Sequence, residues 1–338
     1  MKNFLDTIFF RSNNLNYISK KISELTKKTS AYKIFEAINS YSSESEIRYV
    51  GGCVRKIINK EEVDDIDLAT NLEPNQVAEA LKKHNINYYE TGINHGTITA
   101  IVDKQTFEIT TLREDVFTDG RHAKVRFSKN WKEDSLRRDF TINSIYSDQD
   151  GNLFDPHNGK KDIENGEINF IGNSNQRIKE DYLRILRYLR FFISYSKRPH
   201  DPKIIKNLKM NISGVSDLSK ERLLDELKKI AELNLLEKLS RDKVGLELFK
   251  IIYPELKNIK IFSKLDLSKK KLLSNFDFIL LISLMIIDET DNADYFIYKF
   301  NISKNDQKRI RIIDSFFKNN SQLKLLTENH MNKIFYYN

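Results

Sequence analysis

Tyr49-Val-Gly-Gly-Cys-Val-Arg55 and, twelve residues after its second glycine, Asp64-Asp-Ile-Asp-Leu-Ala-Thr70 decide how the chain is read. The first is a short apolar strand running into two glycines and then a helix. Glycines there let the backbone approach a ligand, and the helix start offers unpaired N–H groups to a phosphate. Gly52 and Arg55 are the candidate phosphate binders, although Gly-Gly after a strand is by itself an ordinary tight turn. The second stretch reads as a strand in which Asp65 and Asp67, two apart, share a face while Asp64 points away. A solvated strand end would tolerate this, but Ile66, Leu68 and Ala69 indicate a buried face, where paired carboxylates need a cation. Hard oxygen ligands in this arrangement suit Mg²⁺, held by one or two carboxylates plus substrate phosphates.

Working outward, residues 1–150 carry further strand signals at Ile47–Val50, Ile86–Glu90, Thr97–Val102, Phe107–Leu112 and Phe140–Tyr146, with a helix expected over Pro74–His84. From about Ile178 the pattern changes to apolar residues three and four apart, such as Leu223, Leu224, Leu227, Ile230 and Leu233. The fold class is therefore α+β, a mixed sheet with helices followed by an all-helical half. The turn formers of Asp155–Asp162 are the candidate connector. The expected divisions are an N-terminal helical segment over 1–33, a head over 34–150, a neck over 151–230 and a helical body with a tail over 231–338. The first 33 residues are basic and partly amphipathic, yet Asp6 and Glu24 favour an ordinary first helix over a transit peptide.

Composition narrows the classes. The 338 residues, 40% hydrophobic and 31% charged, exceed what one small core needs, and the single cysteine, Cys53, excludes a disulfide scaffold. With no cleavable leader evident, a reducing, cytoplasmic setting is expected. The longest apolar run, Phe276–Ile287, contains Asp277 and is too short to span a membrane. The net charge of +8 is uneven: residues 1–176 hold 24 Lys and Arg against 27 Asp and Glu, residues 177–230 hold 14 against 7, and residues 231–338 hold 18 against 14. The basic middle points to a polyanionic partner, the alternative being a lysine-rich background.

Three more constellations matter. Glu108 alternates onto one face of its strand and is the candidate third carboxylate, with a plain exposed glutamate as the alternative. In Asp134-Ser-Leu-Arg-Arg-Asp-Phe-Thr-Ile-Asn143, adjacent arginines are expected to face different ways, one pairing with a local acid and Arg138 serving the nucleotide. In Glu180-Asp-Tyr-Leu-Arg-Ile-Leu-Arg-Tyr-Leu-Arg190, Asp181 and Arg184 fall on one helical face, with Arg187 and Arg190 stepping around it. A salt-bridged amphipathic helix would look the same. An acceptor beside a donor, however, matches the pairing edges of cytosine and adenine and mismatches uracil and guanine.

Together with Thr91–Thr97 (Thr-Gly-x-x-His-Gly-Thr), Glu108–Arg113 and Asp119–Ala123, these motifs resemble, in order and from about residue 47 to 193, the class II tRNA nucleotidyltransferases, the CCA-adding enzymes, in their bacterial and mitochondrial-type branch. The resemblance implies a polymerase-β-type nucleotidyltransferase head followed by helical neck, body and tail. It implies that CTP and ATP are added to tRNA without a template, with Asp65 and Asp67 holding Mg²⁺. Gly52, Arg55 and Arg138 would bind phosphates and sugar. Asp181 and Arg184 would read the base, supported by Arg187 and Arg190. Arg113–Phe127 would be the family's flexible loop, linked to the switch from CTP to ATP, and its presence implies complete CCA addition. Two departures stand out: Lys56 replaces the family's usual aspartate after the glycine-motif arginine, and the tail is expected to be short. The rivals are a poly(A) polymerase or a CC-only or A-only enzyme on the same head, and a catalytically silent RNA-binding protein. The cytoplasm is the expected compartment, or the mitochondrial matrix for a eukaryotic source.

Overall fold

The computed structural model describes residues 17–118 and 123–319, and it divides into two compact units, 1–180 with 197–199 and 181–196 with 200–338. The first unit is built on a mixed sheet. Its strands are β1 (Ile47–Val50), β2 (Asp67–Thr70), β3 (Asn87–Gly92), β4 (Thr97–Val102), β5 (Gln105–Thr111), β8 (Tyr146–Ser147) and β9 (Leu153–Phe154), in the order β3-β4-β5-β2-β1-β8-β9. Strand β2 runs parallel to β5, with Asp67 beside Glu108, and the remaining neighbours are antiparallel.

Side-chain alternation explains the sheet. In β4, Ile98, Ala100 and Val102 are buried while Thr97, Thr99 and Ile101 are not, the period of two that a strand with one covered face requires. The helix Ala31–Asn39 covers β1 and β4 with Ile34, Phe35 and Ile38, and the Phe35 and Tyr49 rings lie 4.9 Å apart. The Tyr49 hydroxyl, wholly buried, is 2.9 Å from Thr26 Oγ1, so its polar end is satisfied inside the core.

Two expectations change. Phe140–Tyr146 is not a strand: Thr141–Asn143 form a 3₁₀ turn, and only Tyr146–Ser147 join the sheet. Phe140, Ile142, Ile145 and Tyr146 are all fully buried, and a short run buried all round has no alternation to distinguish turn from strand. The stretch read as a flexible loop carries β6 (Arg113–Thr118) paired antiparallel with β7 (Ala123–Phe127). Residues 119–122 of its Asp-Gly-Arg-His-Ala motif lie outside the described residues, as do 1–16 of the N-terminal segment and 320–338 of the tail.

Four helices carry candidate functional residues: α1 (Gly52–Ile58) and α2 (Trp131–Arg137) in the first unit, and, described separately, α3 (Leu183–Tyr195) and α4 (Lys220–Ile230) in the second. The described part of the second unit contains no strand and is helical as expected. Its apolar run is the helix Phe278–Ile286, and Asp277 is its N-cap, accepting the Leu280 N–H at 3.0 Å. That role explains a carboxylate beside so apolar a segment.

In the first unit, Asp155 opens the helix Gly159–Asn165 by accepting the N–H groups of Gly159 and Lys160 at 2.7 and 2.9 Å. Gly159 sits against the 3₁₀ turn so closely that an added Cβ would lie 2.1 Å from the Thr141 carbonyl oxygen. Backbone cannot yield as a flexible side chain does. Gly159→Ala should therefore cost about 2 kcal/mol or more in urea denaturation, whereas Gly172→Ala, with open space around it but φ +79°, should cost only its backbone strain.

Candidate active site

The candidate site gathers around the start of β2. Asp67 is its first residue and half-buried, Glu108 is its neighbour on β5, and Asp65 lies exposed in the irregular segment before the strand. The strand is thus shorter than expected, and Asp65 is placed by a loop, not by strand alternation. Burial first, then the charges of Asp65 and Glu108, push the Asp67 carboxyl up to about 6, while Arg138 and Arg55 pull it down. A half-buried acid repelled by two others fits a cation. Among the described residues no three His, Cys, Asp or Glu side chains come together to hold a metal ion. Two carboxylates completed by water and phosphate oxygens are what Mg²⁺ ordinarily accepts.

The glycine motif supplies the approach. The special backbone belongs to Gly51, at φ 71° and ψ −120°, and Gly52 is the first residue of α1. An added Cβ on Gly51 would lie 3.7 Å from Arg138 Nη1 and 3.9 Å from Asp67 Oδ2, so the arginine and the carboxylate both come up to this glycine. Nothing in the letters Gly-Gly tells which of the two takes the left-handed conformation. Arg55 is buried and donates to Asn143 Oδ1, whose amide donates in turn to Asp139 Oδ1 at 2.9 Å.

Arg138 and Arg137 do not divide as expected. Both turn to Asp134, which is completely buried: Arg137 Nε donates to Oδ1 at 2.8 Å, Arg138 Nη2 to Oδ2 at 3.1 Å, and the Tyr146 hydroxyl to Oδ2 at 2.6 Å. The physical reason is that α2 ends at Arg137. Arg138 is its C-cap, with extended backbone, so helical spacing no longer sets where it points. Burial alone would raise the Asp134 carboxyl, yet Arg138 and Arg137 hold it down to about 2. Arg138 Nη1 reaches the Asn143 carbonyl at 3.5 Å.

In the second unit Asp181 precedes α3 instead of lying within it. Its Oδ1 accepts the Leu183 N–H at 3.1 Å, and its Oδ2 accepts from Arg222 Nη2 at 2.8 Å. Arg184, Arg187 and Arg190 follow on the half-buried side of α3. Arg190 grips Glu226 with Nε at 2.8 Å and Nη2 at 3.1 Å, and Arg187 Nη1 lies 3.6 Å from the same carboxylate. Glu226, 2% exposed, was not among the expected site residues, nor was Arg222. A signal existed: Glu226 interrupts the apolar face Leu223, Leu227 and Ile230 of α4, where an acid needs a partner.

This head, with one carboxylate opening a central strand and another in the loop just before it, beside a glycine turn and arginines, is that of a nucleotidyltransferase. Residues 47–169 match the Poly A polymerase head domain. The chain is 47% identical over 188 residues to human mitochondrial CCA tRNA nucleotidyltransferase 1, covering 55% of this chain and 43% of that protein. It is 30% identical over 282 residues to the CCA-adding enzyme of Staphylococcus haemolyticus, covering 83% of this chain and 66% of that one. A crystal structure of the Bacillus stearothermophilus CCA-adding enzyme in complex with CTP shares the fold, with TM-score 0.65 and 21% identity over 86% of this chain and 69% of that one. The chain belongs to the class II tRNA nucleotidyltransferase family. It spans about half the length of several relatives it matches, from 43% to 50% of each. Heads of this kind use divalent metal ions.

The raised Asp67 carboxyl has a sign that can be checked. Its folded value of about 6 lies above its ordinary one of 3.8. The ionised group thus costs stability above about pH 6, and the cost disappears as pH falls below about 4. Without divalent cations, Asp67→Asn should be more stable than the parent at pH 7 by up to about 3 kcal/mol, and equal to it at pH 3.5. Saturating Mn²⁺ should shrink the pH 7 difference.

Proposed function

We propose that the protein adds C, C and A to the 3′ end of tRNA, taking CTP and ATP as substrates and releasing pyrophosphate without a nucleic-acid template. The observation that supports it most directly is the repelling carboxylate group of Asp65, Asp67 and Glu108 at the strand start, with Arg138 just beyond Gly51. Asp65 and Asp67 would hold Mg²⁺, and Glu108 would add negative charge beside them. When bound, the metal ion lowers the barrier to attack of the 3′ hydroxyl on the α-phosphate.

The chain's own residues do the remaining work. The Gly51-Gly52 turn lets a triphosphate approach the backbone, and Gly52, Arg55 and Arg138 bind its phosphates and sugar. Arg138 is pre-positioned by Asp134 and Tyr146, so little side-chain freedom is lost when nucleotide binds. Asp181 and Arg184 read the base. An aspartate acceptor beside an arginine donor satisfies cytosine or adenine and leaves unpaired groups against uracil or guanine. Arg187 and Arg190 support them through Glu226.

The proposed division remains an N-terminal helical segment over 1–33, a head over 34–150, a neck over 151–230 and a body with tail over 231–338. Basic residues of 197–229 and beyond form the proposed track for the tRNA backbone. No helix among the described residues is long and apolar enough to cross a membrane. The cytoplasm is the proposed compartment, with the mitochondrial matrix as the alternative that one relative's name supports.

The test is nucleotide incorporation into tRNA ending at the discriminator base, with each nucleoside triphosphate alone and then together. CTP alone should be incorporated, and CTP with ATP should complete the end. A poly(A) polymerase would instead ignore CTP. Asp67→Ala should abolish incorporation of both nucleotides while tRNA binding persists, and Asp181→Ala should admit UTP. Retained incorporation in the first variant, or unchanged selectivity in the second, would sink the corresponding role. Affinity for tRNA should also fall steeply between about 50 and 200 mM salt, and a flat response would remove the proposed track.

A further inference from the structure

Lys56 stands where the resembling family usually has aspartate, and neither the carboxylates nor the nucleotide arginines account for it. The structure gives it a place. It is the last basic residue of α1, and it holds both ends of the connector that leads from α1 to β2. Its carbonyl oxygen accepts the Glu61 N–H at 2.8 Å, closing the start of the connector. Its Nζ lies 2.5 Å from Asp64 Oδ1, closing the end. The lysine side chain is 23% exposed and that of Asp64 75% exposed, so the lysine is the covered, fixed partner and the aspartate the one it captures.

Asp64 is bonded in sequence to Asp65, and Asp65 lies outside β2, where no strand pairing sets its position. The proposed metal-holding pair is therefore asymmetric. Asp67 is fixed by the sheet, through its register with Glu108, and Asp65 is only as well placed as the connector that carries it. We propose that Lys56 is a positioning residue for Asp65: by tying Asp64 back to α1 it sets where the Asp65 carboxylate stands relative to Asp67. This inference rests on the reading of Asp65 and Asp67 as the metal-holding pair.

Two physical expectations separate position from the alternatives. A partly exposed ion pair contributes about 1 kcal/mol or less to stability, so breaking it leaves the fold intact. Removing a positive charge near a cation site would, by Coulomb's law alone, strengthen cation binding. A positioning role predicts the opposite sign.

The experiment is calorimetric titration of the full chain with Mn²⁺ alone, without nucleotide or tRNA. Lys56→Met should weaken Mn²⁺ binding about tenfold, the scale on which outer-shell supports act, with the melting temperature within about 3 °C of the parent. Lys56→Arg, which keeps charge and reach, should bind as the parent does. Unchanged or tighter binding by Lys56→Met, or failure of Lys56→Arg to retain affinity, overturns the proposal. Asp67→Ala serves as the reference. If it loses Mn²⁺ while Lys56→Met keeps it, the positioning role alone falls; if it binds as the parent does, the metal reading falls and takes this proposal with it.

Discussion

The carboxylate of Asp134 is the point on which the first unit's chemistry hangs. It is wholly enclosed, yet it stays ionised because two guanidinium groups and a phenol close on it together. A third element is tied in as well, since the Arg113 N–H at the start of β6 reaches its Oδ1 at 3.3 Å. One acid thus fastens α2, the hairpin strand β6 and the sheet strand β8. A buried ionic cluster of this kind adds little net stability over an apolar filling, but removing the acid would take from two largely buried guanidinium groups the carboxylate they share. What it sets is the direction of Arg138, and Arg138 in turn faces Gly51 and Asp67.

The same logic recurs in the second unit, again with one buried acid between two arginines. There one buried acid, Glu226, holds Arg190 and receives Arg187, and one arginine, Arg222, holds Asp181. Residues four apart on α4 therefore clamp residues nine apart, one just before α3 and one in its middle. The positive excess of 177–230 is partly consumed in these pairs. Charge counted along a sequence overstates what is left for a polyanion, and the lysines outside the clamp carry the proposed tRNA track.

Particular residues show how much was legible. The strands β1 and β4 were readable to the residue, because alternation of apolar and polar side chains is a local pattern. The helix expected over Pro74–His84 runs Pro74–Lys83, and the apolar run 276–287 holds the helix Phe278–Ile286, whose cap at Asp277 the letters alone did not announce. Phe140–Tyr146 misled because its burial is complete on every side, and the hairpin over β6 and β7 was hidden behind a resemblance that named a loop. At the site, Asp67, Glu108, Arg55 and Arg138 could be picked from residue type and order. Their partners Asp134, Tyr146 and Asn143 could not, since those contacts depend on where a helix ends and which backbone it meets.

The sequence by itself determined the chemistry available: carboxylates two apart, a Gly-Gly turn, adjacent arginines, an acid before an arginine-rich helix, and a basic middle. It did so because side-chain type and short-range periodicity are written in consecutive letters. Only the tertiary structure decided the assignments within that set. It put the left-handed backbone at Gly51, started β2 at Asp67 so that Asp65 falls in a loop, sent both arginines to Asp134, and matched Lys56 with Asp64 and Glu226 with Arg190. Each of these turns on where an element begins or ends and on what lies across from it. Those are set by packing between segments distant in sequence, and no local pattern records them.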